Sequence, residues 1–378
     1  MSHVREINHV GELAPYRPAW HALLARTPGA NFFQSLEWLE TYWRHYGAGQ
    51  KLRVLIVSSA GEPVGILPLV VQPERTKVGT LRMLTYPLHD WGSFYGPIGA
   101  DPAATLSAGL EHVRRSRRDW EFCELRWVDA DGADRGQTEL ALRLAGFRAY
   151  KTVWNQTAVV DLAGSWDTYI ADRTSKWRNN LRRWERNLAK RGEVGYHRYR
   201  PRGESHGDGD PRWDLYDACE ELAKCSWQGA SEDGTTLSHD SVRPFLRDVH
   251  AVAAKNGALD LNLLLLDGKP LAFAYNYHYA GSIYGLRVGY DASQSRDGVG
   301  NVLYVNAIRD SFQQGDHTYD MGVGSLEIKR YFLTRIVPIY RFSHYRLTAP
   351  RAQVLRLKRW RQHRLLEKDK PAVLAAGV

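Results

Sequence analysis

The stretch best equipped for chemistry is VGYDASQSRDGVGNVLYVNAIRDSF, residues 288–312. Strand-forming residues end at Tyr290 and Asp291, a loop closes on Arg296, Gly298, Val299 and Gly300, and a helical pattern opens at Asn301. Glycines at such a turn let backbone N–H groups approach a ligand, and the helix N-terminus adds partial positive charge, so the place suits a pyrophosphate. It is not a full GxGxxG, because position 303 is Leu, and a turn of this kind also serves simply to connect a strand to a helix. A second stretch, YDMGVGSLEIKRYF at 319–332, carries Asp320, Glu327 and Lys329 after another GxG. Glu327 is placed to act as a base and Lys329 to meet an anion, although the two read equally as a surface ion pair. Tyr290 and Asp291, where a strand ends beside the glycine loop, are the other catalytic candidates. Along 275–279, Tyr275, Tyr277 and Tyr279 alternate with Asn276 and His278, so one strand face offers phenols and the other an amide and an imidazole. Some of these must pack against helices.

Other chemistries find little support. There is no GxSxG and no evident Cys–His arrangement for a nucleophile. The 14 histidines are scattered without HxH or HExxH, so no metal is expected. His89 and Asp90, in the loop HDWGSFYGP, form an adjacent pair for which substrate contact is one reading.

The elements that must hold these residues follow from periodicity. SLEWLETYWRHYG carries apolar residues at helical spacing, and LRVLIVSSAGEPVGILPLVV reads as a hairpin about a Gly-Glu-Pro turn. A helix near 105–116 and a strand at FCELRWV come next. The second half repeats this order: a helix in SVRPFLRDVHAVAAKNG, a hairpin in LDLNLLLLDGKPLAFAYNYHY, a third run in SIYGLRVGY, the glycine loop, a helix, and a strand at HTYDMGV. The parallel predicts a tandem duplication of one mixed α/β unit.

Between the halves lies KWRNNLRRWERNLAKRG, residues 176–192. Trp177, Leu181, Trp184 and Leu188 fall on one helical stripe, while Lys176, Arg178, Arg182, Arg183, Arg186 and Lys190 occupy the other faces. Thr174 or Ser175 suits the N-cap. The helix therefore docks by its apolar side. Its basic side reads as a solvated face, as a contact for an anionic ligand, or as a nucleic-acid contact that would need a second recognition feature. The glycine-rich stretch RPRGESHGDGDPRW after it reads as a mobile loop.

A chain of 378 residues suits two domains, and net charge +9 favours an anionic partner. Three cysteines without a CxxC argue against a disulfide framework. No run approaches 18 apolar residues, so the expected location is the cytoplasm, with no membrane span.

The order helix, hairpin, third strand, RDGVG loop, helix, strand resembles the GNAT acyltransferase core, where a (Q/R)xxGx(G/A) loop holds the pyrophosphate of acyl-CoA. Strict spacing places Ser295 where that family has Gln or Arg, with Arg296 one residue late. More specifically, NFFQSLEWLETYW, SKWRNNLRRWERNLAKRG, KCSWQG, GKPLAFAY, GVGNVL and YDMGVGSLEIKRYF resemble the CelD-like (cellulose biosynthesis protein-like) tandem-GNAT acetyltransferases, relatives of Fem-type peptidyltransferases. The resemblance implies an α/β fold with mixed sheets in two GNAT-like halves, 1–172 and 213–348. These would be joined by a basic bridging helix and flexible loop at 173–212 and followed by a basic tail at 349–378. It implies acetyl-CoA or another acyl-CoA as co-substrate, held by Arg296, Gly298, Val299, Gly300 and Asn301. Trp227, Tyr275, Tyr277, His278 and Lys329 would meet an acceptor that is a small molecule, sugar or envelope precursor in polysaccharide biosynthesis. The alternatives are a Fem-type enzyme using aminoacyl-tRNA and a catalytically silent binding protein.

Overall fold

The computed structural model describes residues 3–116, 118–226, 229, 234–293 and 298–368. The strands are β1 (His3–Ile7), β2 (Lys51–Ser59), β3 (Glu62–Thr76), β4 (Gly79–Thr85), β5 (Phe122–Val128), β6 (Ala149–Asp161), β7 (Val194–Tyr199), β8 (Leu259–Leu266), β9 (Lys269–Tyr279), β10 (Ser282–Tyr290), β11 (Thr318–Asp320) and β12 (Arg335–Tyr345). The helices are α1 (Arg17–Leu24), α2 (Leu36–Tyr46), α3 (Pro102–Arg115), α4 (Gln137–Leu144), α5 (Trp166–Ala171), α6 (Ser175–Ala189), α7 (Trp213–Cys225), α8 (Arg243–Lys255), α9 (Val299–Gln314), α10 (Leu326–Lys329) and α11 (Pro350–Lys368).

Hydrophobic periodicity and capping account for the principal helices. Ser35 caps α2 by accepting from the Trp38 N–H at 3.1 Å. Thr174 caps α6 through the Trp177 N–H at 3.3 Å, and Trp177, Leu181 and Leu188 of α6 are buried as its stripe requires. The hairpins β2–β3 and β8–β9 form where the turn residues place them.

All the strands join one 12-stranded mixed sheet in the order β1-β2-β3-β4-β5-β12-β6-β11-β10-β9-β8-β7. Read from either end, the order has the same form, 1-2-3-4-5-12 against 7-8-9-10-11-6, so the duplication is visible as a pseudo-two-fold. Pairing is antiparallel except for β4 with β5 and β10 with β11. At the centre the halves exchange strands. β6 follows the first half in sequence but pairs with β11, while β12 follows the second half and pairs with β5. β6 and β12 then pair with each other from Arg335↔Val159 to His344↔Ala149.

The halves also share a core. Trp38 of α2 stacks edge-on against Phe245 of α8 at 5.5 Å, and the Trp91 indole N–H donates to the Gly234 carbonyl at 3.0 Å. No helix among the described residues is long and apolar enough to cross a membrane.

Two expectations about connecting segments require correction. The segment 173–212 is not a helix plus a flexible loop, because it contains β7, which pairs with β8. Arg198 donates to Asp260 at 2.6 Å and Asp310 at 2.7 Å, and Arg200 to Asp316 at 2.8 Å, so carboxylates hold the segment after α6 in place. Gly203 and Asp208 then close a tight turn through paired backbone hydrogen bonds. Nor are residues 350–368 a loose basic tail. They form α11, which docks through Ala352, Leu355 and the Arg359 guanidinium on buried Glu124.

Candidate active site

The parallel pair β10–β11 is hydrogen-bonded over only three residue pairs, Ser282↔Thr318, Ile283↔Tyr319 and Tyr284↔Asp320. Beyond them the strands separate. β11 ends at Asp320, while β10 continues to Tyr290 through a bulge that leaves Leu286 without an opposite residue between Gly285 and Arg287. Two glycines hold the fork closed at its root. A Cβ on Gly285 would lie 2.7 Å from the Asp320 carbonyl oxygen, and one on Gly322 only 2.3 Å from that of Gly285. Gly322 has φ +74°, which disfavours a side chain independently.

Two recesses open at this fork and share Phe94, Trp127, Tyr284 and Asp320 in their walls. The larger, of about 230 Å³, lies between the halves, with Asn31, Asp129 and Asp134 from the first and Thr318, Asp320 and Arg335 from the second. The smaller is lined by Trp91, Gly285, Leu286, Arg287, Gly322 and Val323.

Asp320 is the chemical centre of this arrangement. It is 5% exposed, and its Oδ1 accepts from the Gly322 N–H at 2.6 Å. Its Oδ2 is buried without a hydrogen bond of good geometry, as is the neighbouring Thr157 Oγ1. Burial pushes the Asp320 carboxyl up to about 6, against the opposing pull of the Gly322 N–H and the Lys329 charge. Lys329 is buried as well. Its Nζ donates to the carbonyls of Gly322 and Val323 at 2.7 and 2.8 Å, which fixes the turn after Asp320. Burial lowers its ammonium to about 8 despite the attraction of Asp320. Arg287 lies 4.1 Å over the Trp91 ring, and burial brings its guanidinium down to about 10. Tyr284 is held protonated, chiefly by burial and then by the Asp320 charge.

The other anticipated residues divide between the fork, the glycine turn and the core. Glu327 is exposed on α10 and lines neither recess; Asp320, named in the sequence only alongside it, takes the buried position. Tyr275 and Tyr277 are fully buried and serve packing. Tyr275 meets His250 at 3.1 Å, and Tyr277 lies between Phe32 and Phe33, with ring centroids at 4.8 and 5.6 Å. His278 faces Asp316 at 3.3 Å, in the Arg198–Arg200 network and away from the fork. Tyr290 borders Gly300, and Asp291 turns back to accept from the Ser293 N–H and hydroxyl. Trp227 and Arg296 lie outside the described residues.

At the far end of β10, four residues or about 13 Å from the bulge, the turn into α9 is built for close approach. Gly298 has φ +62°, no described side chain caps the helix, and a Cβ at Gly298 would strike the Trp184 ring of α6 at 2.5 Å. Trp184 therefore packs α6 against this N-terminus, with Arg183 and Arg186 exposed on other faces of the helix. The equivalent helix of the first half, α3 between β4 and β5, differs. Asp101 caps it by accepting from the Ala104 N–H at 2.9 Å, and Pro102 opens it. That N-terminus already holds a carboxylate and lacks one N–H, so it disfavours phosphate, whereas α9 begins at a glycine that no described side chain caps.

The fold and the fork together define a mixed α/β protein of GNAT-like architecture. Residues 175–330 match the family model described as an acetyltransferase (GNAT) domain. Among solved structures, FemX is similar at 14% identity and TM-score 0.61, over 93% of this chain and 99% of that one. The C-terminal domain of an assigned lysylphosphatidylglycerol synthetase from Agrobacterium fabrum follows at 13% identity and TM-score 0.56, over 91% and 95%. A conserved protein of unknown function from Bacteroides thetaiotaomicron reaches 13% and 0.50, over 91% and 100%. At these identities the likeness is one of fold. No curated protein matches the chain.

Proposed function

We propose that this chain transfers an acyl group, acetyl in the simplest case, from an acyl-CoA to the amine of a small acceptor bound between its halves, without a covalent enzyme intermediate. The observation that carries the reading is Asp320: a buried carboxylate raised to about 6, its Oδ1 held by the Gly322 N–H and its Oδ2 beside the Thr157 hydroxyl, at the junction of two recesses. The α9 N-terminus would take the donor's pyrophosphate on the Gly298, Val299, Gly300 and Asn301 backbone, with Arg296 two residues before Gly298 in sequence and α6 packed beside the turn through Trp184. The donor's thioester arm would follow β10 to the bulge.

Asp320 then takes a proton from the bound ammonium, which frees the nitrogen lone pair to attack the thioester carbonyl carbon. The C–N bond forms, the C–S bond breaks, the departing thiolate takes a proton from Tyr284, and the second proton shed by the nitrogen restores that phenol. Asp129 and Asp134 line the larger recess beside Asp320, whereas its Arg335 is paired with Asp161 at 3.0 Å, so the recess favours a cationic amine over an anion. The CelD-like affiliation and the two-half domain division belong to the same reading, supported by motif order and by the pseudo-two-fold.

The test is binding and turnover in parallel. Acetyl-CoA should raise the melting temperature of the purified chain, as a ligand binding only the native state does. Asp320→Asn should keep that shift while acetylation of a panel of amines falls about a hundredfold or more. No shift with any acyl-CoA, together with retention of charged tRNA, would replace this reading with the Fem-type one.

A further inference from the structure

The helix α11 has two faces, and only one belongs to the fold. At about 100° per residue, Ala352, Leu355 and Arg359 point to one side, where the first two are buried and the third meets Glu124. Val354, Leu357, Trp360, Arg361 and Arg364 cluster on the opposite side. Val354, Leu357 and Trp360 are 48%, 46% and 48% exposed, and the Arg364 guanidinium lies 4.4 Å over the Trp360 ring. The turn leading into the helix adds Leu347, at 76% the most exposed large apolar side chain described.

The surroundings are basic. Arg351 reaches back to the carbonyls of Val78 and Thr80, and Lys358 to that of Lys77, which lays the helix beside β4. Arg346, preceding Leu347, is held below its ordinary value first by burial and then by the charges of Arg118 and Arg82.

Several exposed apolar side chains interleaved with cations constrain the partner. A nucleic acid would use the arginines but gain nothing from Leu347, Val354 and Leu357. A second copy of this chain would cover the apolar row only by bringing Arg361 and Arg364 against like charges. An anionic lipid surface satisfies both features: apolar side chains enter the acyl boundary while Arg and Lys meet the headgroups.

We propose that the outward face of α11, with Leu347 and Arg346 beside it, is a peripheral docking surface for an anionic phospholipid membrane. The chain lies on that surface and does not span it. The inference is independent of the proposed acyl transfer, since α11 contributes no residue to either recess.

Sedimentation of the full chain with phospholipid vesicles tests it. Vesicles of equal parts phosphatidylglycerol and phosphatidylcholine should carry the protein down and pure phosphatidylcholine should not. About 1 M NaCl, where the screening length is about 3 Å, should release most of it. The pair Leu357→Asp, Trp360→Asp and the pair Arg361→Glu, Arg364→Glu should each weaken the anionic-vesicle affinity roughly tenfold or more, with melting temperatures unchanged because these side chains face solvent. Failure to sediment with anionic vesicles would overturn the proposal. So would undiminished binding of the Leu357→Asp, Trp360→Asp pair, or a dimer in gel filtration that the same pair dissociates. Retention on RNA that only the arginine changes abolish, with no vesicle binding, would reassign the face to nucleic acid.

Discussion

At the scale of single residues, Asp320 and Lys329 show how burial tunes two groups toward neutrality from opposite sides. The carboxyl rises to about 6 and the ammonium falls to about 8. A base must be deprotonated to act, so kcat/KM for acyl transfer should climb as pH passes 6. Replacing Asp320 by Glu should shift that limb, and a pH–rate profile with no inflection between about 5 and 7 would remove Asp320 as the base. For stability the sign is opposite: a carboxyl whose folded value exceeds its unfolded one stabilises the fold at low pH and loses that contribution as pH rises through 6. Glu327, four residues into the GSLEIK segment, was the more visible carboxylate in the sequence. Its exposure on α10 leaves it without the desolvation that raises the Asp320 carboxyl.

At the scale of elements, the α6–α9 contact ties the basic helix to the glycine turn. Gly298 needs both a left-handed backbone and the absence of a Cβ beside Trp184. Gly298→Ala should therefore destabilise the chain by about 1–2 kcal/mol from backbone strain alone, and it should weaken acetyl-CoA binding further by displacing α6. Calorimetric titration alongside thermal melting separates the two effects; an unchanged donor affinity would detach the turn from donor binding. A Trp184→Ala background should relieve the steric part of the loss but leave the strain. The contrasting α3, capped by Asp101, explains why one donor per chain is expected from two similar halves.

At the scale of the whole molecule, the exchange of β6 and β12 makes the halves interdependent. A fragment ending near residue 172 keeps β6 but lacks β11 and β12, so β5 is left with an open edge and β6 with neither of its partners. Such a fragment expressed alone should aggregate. Residues 1–163 and 164–378 expressed together, cut in the turn before α5, should assemble into a soluble complex with the spectroscopic signature of the intact chain. A soluble, cooperatively folded monomer from residues 1–172 alone would show that the exchange is not needed for folding. The cavity beside Asp320 depends on the same exchange, because Val159 of β6 and Val337 of β12 help to line it.

Local physics was enough to read much of this protein in its sequence. The amphipathic stripe of α6, the hairpins β2–β3 and β8–β9, the glycine turn into α9 and the repeated order of elements all follow from periodicity and backbone permissiveness within a few dozen residues. The tertiary structure alone decided the rest. Alternation along β9 separates two faces but cannot say which is buried, and the packing of Phe32, Phe33 and Trp38 against it made Tyr277 core. The short β7 and the central pair β6–β12 depend on partners far away in the chain, so periodicity could not announce their places in the sheet. Asp320 is desolvated at the fork between β10 and β11, under recess walls contributed by both halves. Desolvation is a property of what surrounds a residue, and only the folded chain assembles those surroundings.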